Sequence, residues 1–232
     1  MKLSIIVPAH NEEDNIVEVI KRIEDSVLIG HELVVVNDHS TDKTLSLVEQ
    51  LCKEYGNLVL VENKLECGFA NAIRIGFYYS IGELLVPVMA DLCDDLSTIQ
   101  VMHEKINQGY DIVCGSRYIL GGKRLGGSKL KGFLSNFAGS SLHYLLGVPT
   151  SDIANAFKMY KRDVLEKIEI KSKGFEISME IPIKAFYLGF KITEVPTLWK
   201  ERAKGKSNFK MFKLLPSYLK LYAWAIFKRL RG

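Results

Sequence analysis

Four polar clusters stand where apolar runs stop in the first ninety residues. They are Pro8-Ala9-His10-Asn11-Glu12, Asn37-Asp38-His39-Ser40-Thr41-Asp42, the glycine-punctuated stretch from Cys67 and Gly68 through Ala72 to Gly76, and Met89-Ala90-Asp91. Carboxylates stand in three of the four. Cations follow later. Residues 115–151 carry Arg117, Lys123, Arg124, Lys129 and Lys131 without one acid, and residues 201–232 hold nine Lys or Arg against Glu201 alone. Of a net charge of +4, residues 201–232 contribute +8 and residues 1–200 contribute −4. Such asymmetry points to an anionic partner: phosphate groups, a membrane surface or nucleic acid. The aromatics of the tail recur at helical spacing and read as lipid- or core-facing, so no nucleic acid is expected.

The elements between the clusters explain their placement. Leu3–Pro8 is a continuous apolar run, the mark of a strand buried on both faces. Ile16, Val19, Ile20 and Ile23 recur at helical spacing behind Glu12, Glu13 and Asp14, where a helix dipole favours acids. Strands are expected at 32–36, 58–62, 84–89 and 111–115, with helices at 41–55, 70–81 and 98–107 between them. This alternation predicts an α/β fold, a Rossmann-like and mostly parallel sheet flanked by helices. The ends of its strands converge on one edge, where ligands bind.

The pattern changes after Arg117. Residues 119–132, rich in glycine and lysine, are expected to form a flexible basic loop. Helices are expected at 133–146 and 176–187, a short mixed segment around 156–160 and a strand at 191–195. In the tail, the apolar run from Met211 to Leu230 is interrupted by Pro216, Ser217 and Lys220. A spanning helix needs about 20 mostly apolar residues, so an amphipathic helix lying in the membrane interface is expected. The organisation is one domain over residues 1–208 and a basic amphipathic appendage over 209–232. Apolar content of 47% with 25% charged residues is globular. Cys52, Cys67, Cys93 and Cys114 show no CxxC spacing, which suits a reduced, cytosolic setting. Met1-Lys2-Leu3-Ser4 runs straight into a core strand and reads as no signal peptide.

Seven motifs in order carry a resemblance: SIIVPAHNEEDNI, VVVNDHSTDKT, CGFANAIRIGF, MADLCDD, GSRY, SDIANAFKMY and ERAKGKSN. The chain resembles family 2 glycosyltransferases of the GT-A fold, and more narrowly polyprenyl-phosphate sugar synthases of the dolichol-phosphate mannose synthase type. That resemblance implies donor contacts at Pro8, Ala9, Asn11, Glu12, Asn37, Asp38, Gly68, Ala72, Ala90 and Asp91. It implies a loop carrying Arg202, Lys206 and Ser207 that closes over the donor phosphates. Asp91 matches the last position of a D-x-D motif that holds Mg²⁺ or Mn²⁺ in the family. Met89 stands where the first Asp is usual and Cys93 where an oxygen ligand often stands, and a thioether does not suit a hard cation.

The same resemblance places the acceptor phosphate on Arg117, Lys131 and Ser135. It puts Asp152 in the sugar pocket, with Glu180 on a helix that could reach sugar or acceptor. It implies an inverting transfer of a sugar, mannose or glucose favoured, from a nucleotide-diphosphate sugar to a polyprenyl or dolichyl phosphate. The setting would be the cytoplasmic face of a membrane, with a separate membrane-protein subunit as a further partner left open. Asp91, Arg117 and Arg202 are the residues expected to serve the reaction. Two alternatives differ in kind: transfer to a saccharide hydroxyl, which needs a carboxylate base such as Glu176 or Glu180, and a nucleotide-sugar binder without turnover, motivated by Met89.

Overall fold

The computed structural model describes residues 1–202 and 211–230. In chain order its elements begin with β1 (Leu3–Ala9), α1 (Ile16–Ser26), β2 (His31–Asn37), α2 (Thr44–Leu51), β3 (Leu58–Glu62), α3 (Phe69–Tyr79), β4 (Leu84–Pro87), α4 (Thr98–Asn107) and β5 (Ile112–Ser116). They continue with β6 (Lys123–Leu125), α5 (Lys129–Leu146), β7 (Lys158–Lys161), α6 (Arg162–Glu166), α7 (Ile177–Tyr187), β8 (Ile192–Pro196), β9 (Leu198–Lys200) and α8 (Met211–Leu230).

A seven-stranded sheet in the order β3-β2-β1-β4-β7-β5-β8 forms the middle layer. All seven residues of β1 are buried, because both faces of the sheet are covered. Alternating side chains serve opposite layers. Ile5 and Val7 pack with Ile16, Val19, Ile20 and Ile23 of α1, while Ile6 packs with Ala72, Ile73 and Phe77 of α3. A Cβ on Gly76 would lie 2.2 Å from the Ile6 side chain. That glycine therefore sets how closely α3 approaches the sheet.

The chain runs outward from β1 to β2 to β3, then returns through α3 to β4 on the other side of β1. This reversal leaves a crevice beyond the carboxyl ends of β1 and β4. Four of the six strand pairings in the sheet are parallel, and β7 makes the two antiparallel ones, to β4 and β5. The segment expected to be mixed around 156–160 is thus a strand wedged into the sheet.

The flexible loop expected over 119–132 is corrected by the structure. Lys123–Leu125 pairs in parallel with Leu198–Lys200, and α5 starts at Lys129. Arg124 lies over the Trp199 ring at 5.0 Å. The Gly127 N–H donates to Glu201 Oε2 at 2.8 Å, and the Glu201 N–H donates to the Leu125 carbonyl at 2.9 Å. Gly126 and Gly127 both take positive φ, 81° and 74°, which turns the chain from β6 into α5 at no Cβ cost.

Helix α8 runs unbroken through Pro216. Ala225, with Tyr218, Leu221, Tyr222 and Ile226, packs against Leu142, Leu146, Val148, Ile153, Met179 and Ile183. The Tyr187 hydroxyl donates to the Ala225 carbonyl at 2.6 Å. One face of the tail is therefore part of the domain's own packing. Among the described residues, no helix is long and apolar enough to cross a membrane.

Candidate active site

A crevice of about 690 Å³ occupies the reversal point. Pro8, Ala9, Glu12, Asp38, Gly68, Asp91, Arg117, Ser135 and Arg202 all line it. The far wall comes from Leu134, Ser135 and Ala138 of α5 and from Leu215 and Tyr218 of α8.

At one end the loops after β1 and β2 are tied together. The Asp38 N–H donates to the Ala9 carbonyl at 2.8 Å, and the Glu12 N–H donates to Thr44 Oγ1 at 2.9 Å. Asn11 sits at φ 54° and its Oδ1 accepts the Thr41 N–H at 2.7 Å, so its side chain shapes the loop. Asn37 is buried and accepts the Ser40 N–H. Asp38 is buried as well. It accepts the Gly68 N–H at 2.9 and 3.2 Å and the Asn63 amide at 2.6 Å. This fixes the carboxylate to the start of α3 and leaves Oδ2 beside the Cys67 thiol at 3.6 Å.

In the middle, Arg202 reaches across the crevice floor. Its Nη2 is 2.7 Å from Glu12 Oε1 and 3.8 Å from Asp91 Oδ2. Asp91 Oδ1 accepts the Cys93 N–H at 3.2 Å. Burial, and then the negative charge of Asp91, push the Cys93 thiol far up, so it remains a thiol. Asp94, three residues on, is buried and accepts the Met89 N–H. Burial first, and then the charge of Asp91, raise its carboxyl to about 7. In sequence Asp91 stands between Met89 and Cys93, whose sulfur groups a hard cation does not favour. The Asp91 carboxylate alone could hold Mg²⁺ or Mn²⁺ with a ligand's own phosphates completing the shell, since such ions are commonly held by one or two carboxylates plus phosphates.

At the other end, Arg117 forms a fork with Asp152. Nε to Oδ2 and Nη2 to Oδ1 are both 2.7 Å, and the Arg117 N–H adds a third bond to Oδ2 at 3.0 Å. Nη2 also donates to Ser135 Oγ at 3.1 Å. Asp152 is fully buried behind Arg117 and is absent from the crevice lining.

Other predicted positions lie away from the cavity. Ala72 and Ala90 are core residues on opposite faces of the sheet. Glu180 is buried and accepts the N–H groups of Lys171 and Ser172 and the Lys184 ammonium. Burial raises its carboxyl, but those bonds outweigh burial and hold it below the usual value. Glu176 is tied to the N–H groups of Lys173 and Gly174. Lys206 and Ser207 lie outside the described residues, as does the side chain of Lys131. Sequence reasoning missed Arg124, Trp199 and Glu201, which form the wall built by β6, β9 and the residue after β9. Arg124 was visible in the acid-free basic stretch, but nothing in the sequence marked Trp199 as its partner.

A model of the family described as Glycosyl transferase family 2 matches residues 4–169. The dolichol-phosphate mannosyltransferase of Pyrococcus furiosus is 33% identical over 232 residues, which covers 97% of this chain and 64% of that protein. The chain thus spans just under two thirds of that relative's length. The polyprenol monophosphomannose synthase of Mycolicibacterium smegmatis is 29% identical over 233 residues, covering 97% of this chain and 88% of that one. Among solved structures, glucosyl-3-phosphoglycerate synthase from Mycobacterium tuberculosis superposes with a TM-score of 0.73. It was solved with Mn²⁺, uridine diphosphate and glucosyl-3-phosphoglycerate, is 18% identical, and covers 98% of this chain and 79% of that one. The same enzyme with Mn²⁺, UDP-glucose and phosphoglyceric acid also gives 0.73, at 20% identity, covering 98% of this chain and 79% of that one. At that identity the likeness is one of fold, the GT-A arrangement of a mostly parallel sheet with a crevice at its reversal point. The family match covers β1 through α6, the part of the chain that supplies Asp38, Asp91 and Arg117, and the chain belongs to glycosyl transferase family 2.

Proposed function

We propose that the protein is an inverting glycosyltransferase that moves a hexosyl unit, mannose or glucose favoured, from a nucleotide-diphosphate sugar to a polyprenyl or dolichyl phosphate. The site is the cytoplasmic face of a membrane. The observation that carries this reading is the double character of the crevice. One end and the middle present Asp38, Glu12 and Asp91. The other is walled by α5 and α8, whose outward faces are apolar. Leu130, Phe133, Phe137 and Tyr144 form an exposed stripe along α5, and Leu219, Phe227 and Leu230 form one along α8. Neither helix holds an acid, while Lys129, Lys220, Lys228 and Arg229 are exposed beside the stripes. Apolar stripes edged with cations suit the headgroup region of an anionic membrane. The nucleotide-sugar and prenyl-phosphate substrates are those suggested by the relatives.

The chemistry needs little from a base. A phosphate monoester with its second pKa near ~6 is mostly dianionic at neutral pH, so its oxygen can attack the anomeric carbon directly. One carbon–oxygen bond to the acceptor phosphate forms as the bond to the nucleoside diphosphate breaks. Arg117 and Ser135 orient the acceptor oxygen, and Arg202 moves from Glu12 and Asp91 onto the diphosphate. Asp91 would hold Mg²⁺ or Mn²⁺ jointly with the donor phosphates, and the ion would supply charge neutralisation on the departing group.

Incubation of the full chain with GDP-mannose or UDP-glucose and vesicles containing polyprenyl phosphate tests this reading. A glycolipid is expected. No glycolipid from any nucleotide sugar, from a chain whose folding is verified, rejects it.

A further inference from the structure

His10, Asp38 and Cys67 come together at the nucleotide end of the crevice, and the mechanism above leaves His10 and Cys67 unused. Their ligating atoms all lie within 4.8 Å of one another. Cys67 Sγ is 3.7 Å from His10 Nδ1 and 3.6 Å from Asp38 Oδ2. With zinc bonds of about 2.3 Å to sulfur and about 2.1 Å to nitrogen or oxygen, a tetrahedral ion places sulfur ~3.6 Å from each other ligand. Both sulfur distances match that edge length. Three loops hold the set in place. The Gly68 N–H and the Asn63 amide fix the Asp38 carboxylate, and in the unloaded site His10 Nδ1–H donates to the Asp38 carbonyl at 2.5 Å. All three residues line the crevice, so a fourth position faces the cavity.

We propose that His10, Asp38 and Cys67 form a binding site for a borderline divalent cation of the zinc type, separate from Asp91, and that its occupation excludes the donor nucleotide. Thiolate and imidazole select such an ion over Mg²⁺ or Mn²⁺. Loading the site breaks the bond from His10 Nδ1–H to the Asp38 carbonyl as the ring turns toward the ion, moves the imidazole proton from Nδ1 to Nε2 and releases the thiol proton to solvent. Affinity therefore rises with pH until the thiol of the unloaded site is itself ionised. The ion occupies Oδ2 of Asp38, the carboxylate that the donor would meet first at this end. This second half of the proposal rests on the functional reading above, and the first half does not.

The test uses the full chain, stripped of metal, with Co²⁺ as spectroscopic probe and Zn²⁺ as competitor. One equivalent of Co²⁺ is expected to give a sulfur-to-cobalt charge-transfer band and tetrahedral d–d absorption, both erased by Zn²⁺. Cys67→Ser and His10→Ala should each lose the band and weaken Zn²⁺ binding by about tenfold or more. Cys52→Ser and Asp91→Asn should keep it. No band, or a band that survives Cys67→Ser, overturns the site. In the same samples, one equivalent of Zn²⁺ should weaken GDP or UDP binding by about tenfold or more in the parent chain and not in Cys67→Ser. Unchanged nucleotide affinity alongside a cobalt band overturns the exclusion. Absence of nucleotide binding before any Zn²⁺ is added overturns the functional reading and the exclusion together, and leaves the metal site to the spectrum.

Discussion

Arg117 and Asp152 form a two-point ion pair, 2.7 Å on each limb, with the carboxylate fully buried and the guanidinium at the crevice wall. The cation proposed to meet the acceptor phosphate thus has a counter-ion of its own. The pair is close to neutral as a unit, and what it offers a phosphate is direction more than net charge.

Removal of one partner from such a pair leaves a charge in a dry wall. Asp152→Asn should lower stability by about 3–5 kcal/mol, read as a shift of the urea midpoint. A loss under ~1 kcal/mol would show that solvent reaches Arg117 when the acid is gone.

Arg202 bridges Glu12 and Asp91, and the proposed mechanism hands it to the leaving diphosphate. Arg202→Met should cut kcat by on the order of 10²–10³, with a far smaller change in donor affinity. Steady-state kinetics with saturating donor decides this. An unchanged kcat would assign Arg202 to holding the two acids apart.

Asp94 gives a pH dependence with a definite sign. Its carboxyl is raised from 3.8 to about 7 by burial and by Asp91. Between those values the folded chain binds more protons than the unfolded one, so stability falls as pH rises from about 4 to about 7 and levels off above. In the presence of EDTA, denaturation midpoints at pH 5 and pH 7.5 should differ in that direction, and Asp94→Asn should flatten the difference. A rise in stability over the same range would contradict the assignment.

The stripe on α5 makes its own prediction. Phe133 and Phe137 are stacked, with centroids 6.3 Å apart, and both are exposed. Burying each in a lipid interface is worth about 1.5–3 kcal/mol. The double change Phe133→Ser with Phe137→Ser should therefore weaken binding to anionic vesicles, read by sedimentation, by about 100-fold or more while circular dichroism is unchanged. Equal binding by both proteins would place the membrane contact elsewhere.

Much of this was legible before the structure. β1 reads as a strand because it is buried on both faces, and the acids after β1, β2 and β4 meet because the strand order reverses there. What was hidden depends on partners far away in sequence. Nothing near Asp152 marks Arg117 as its counter-ion, 35 residues earlier. Glu180 looks like a catalytic acid on a helix until the loop it anchors is seen. The glycines around Gly126 suggest looseness, yet Trp199 and Glu201 pin that segment from across the fold. Gly76 and Ala72 share the small size that suits a ligand-facing turn, but the sheet under α3 uses it instead.

The wedged strand β7 has a consequence for how the chain is made. Ile112 in β5 pairs with Tyr160, and Leu85 in β4 pairs with the same residue. A nascent polypeptide that has emerged only as far as β5 therefore carries two strands with a gap between them. The gap is filled when residues near 160 clear the ribosome. Until then β4 and β5 carry unpaired edges, the kind of surface that chaperones hold and that aggregates seed from.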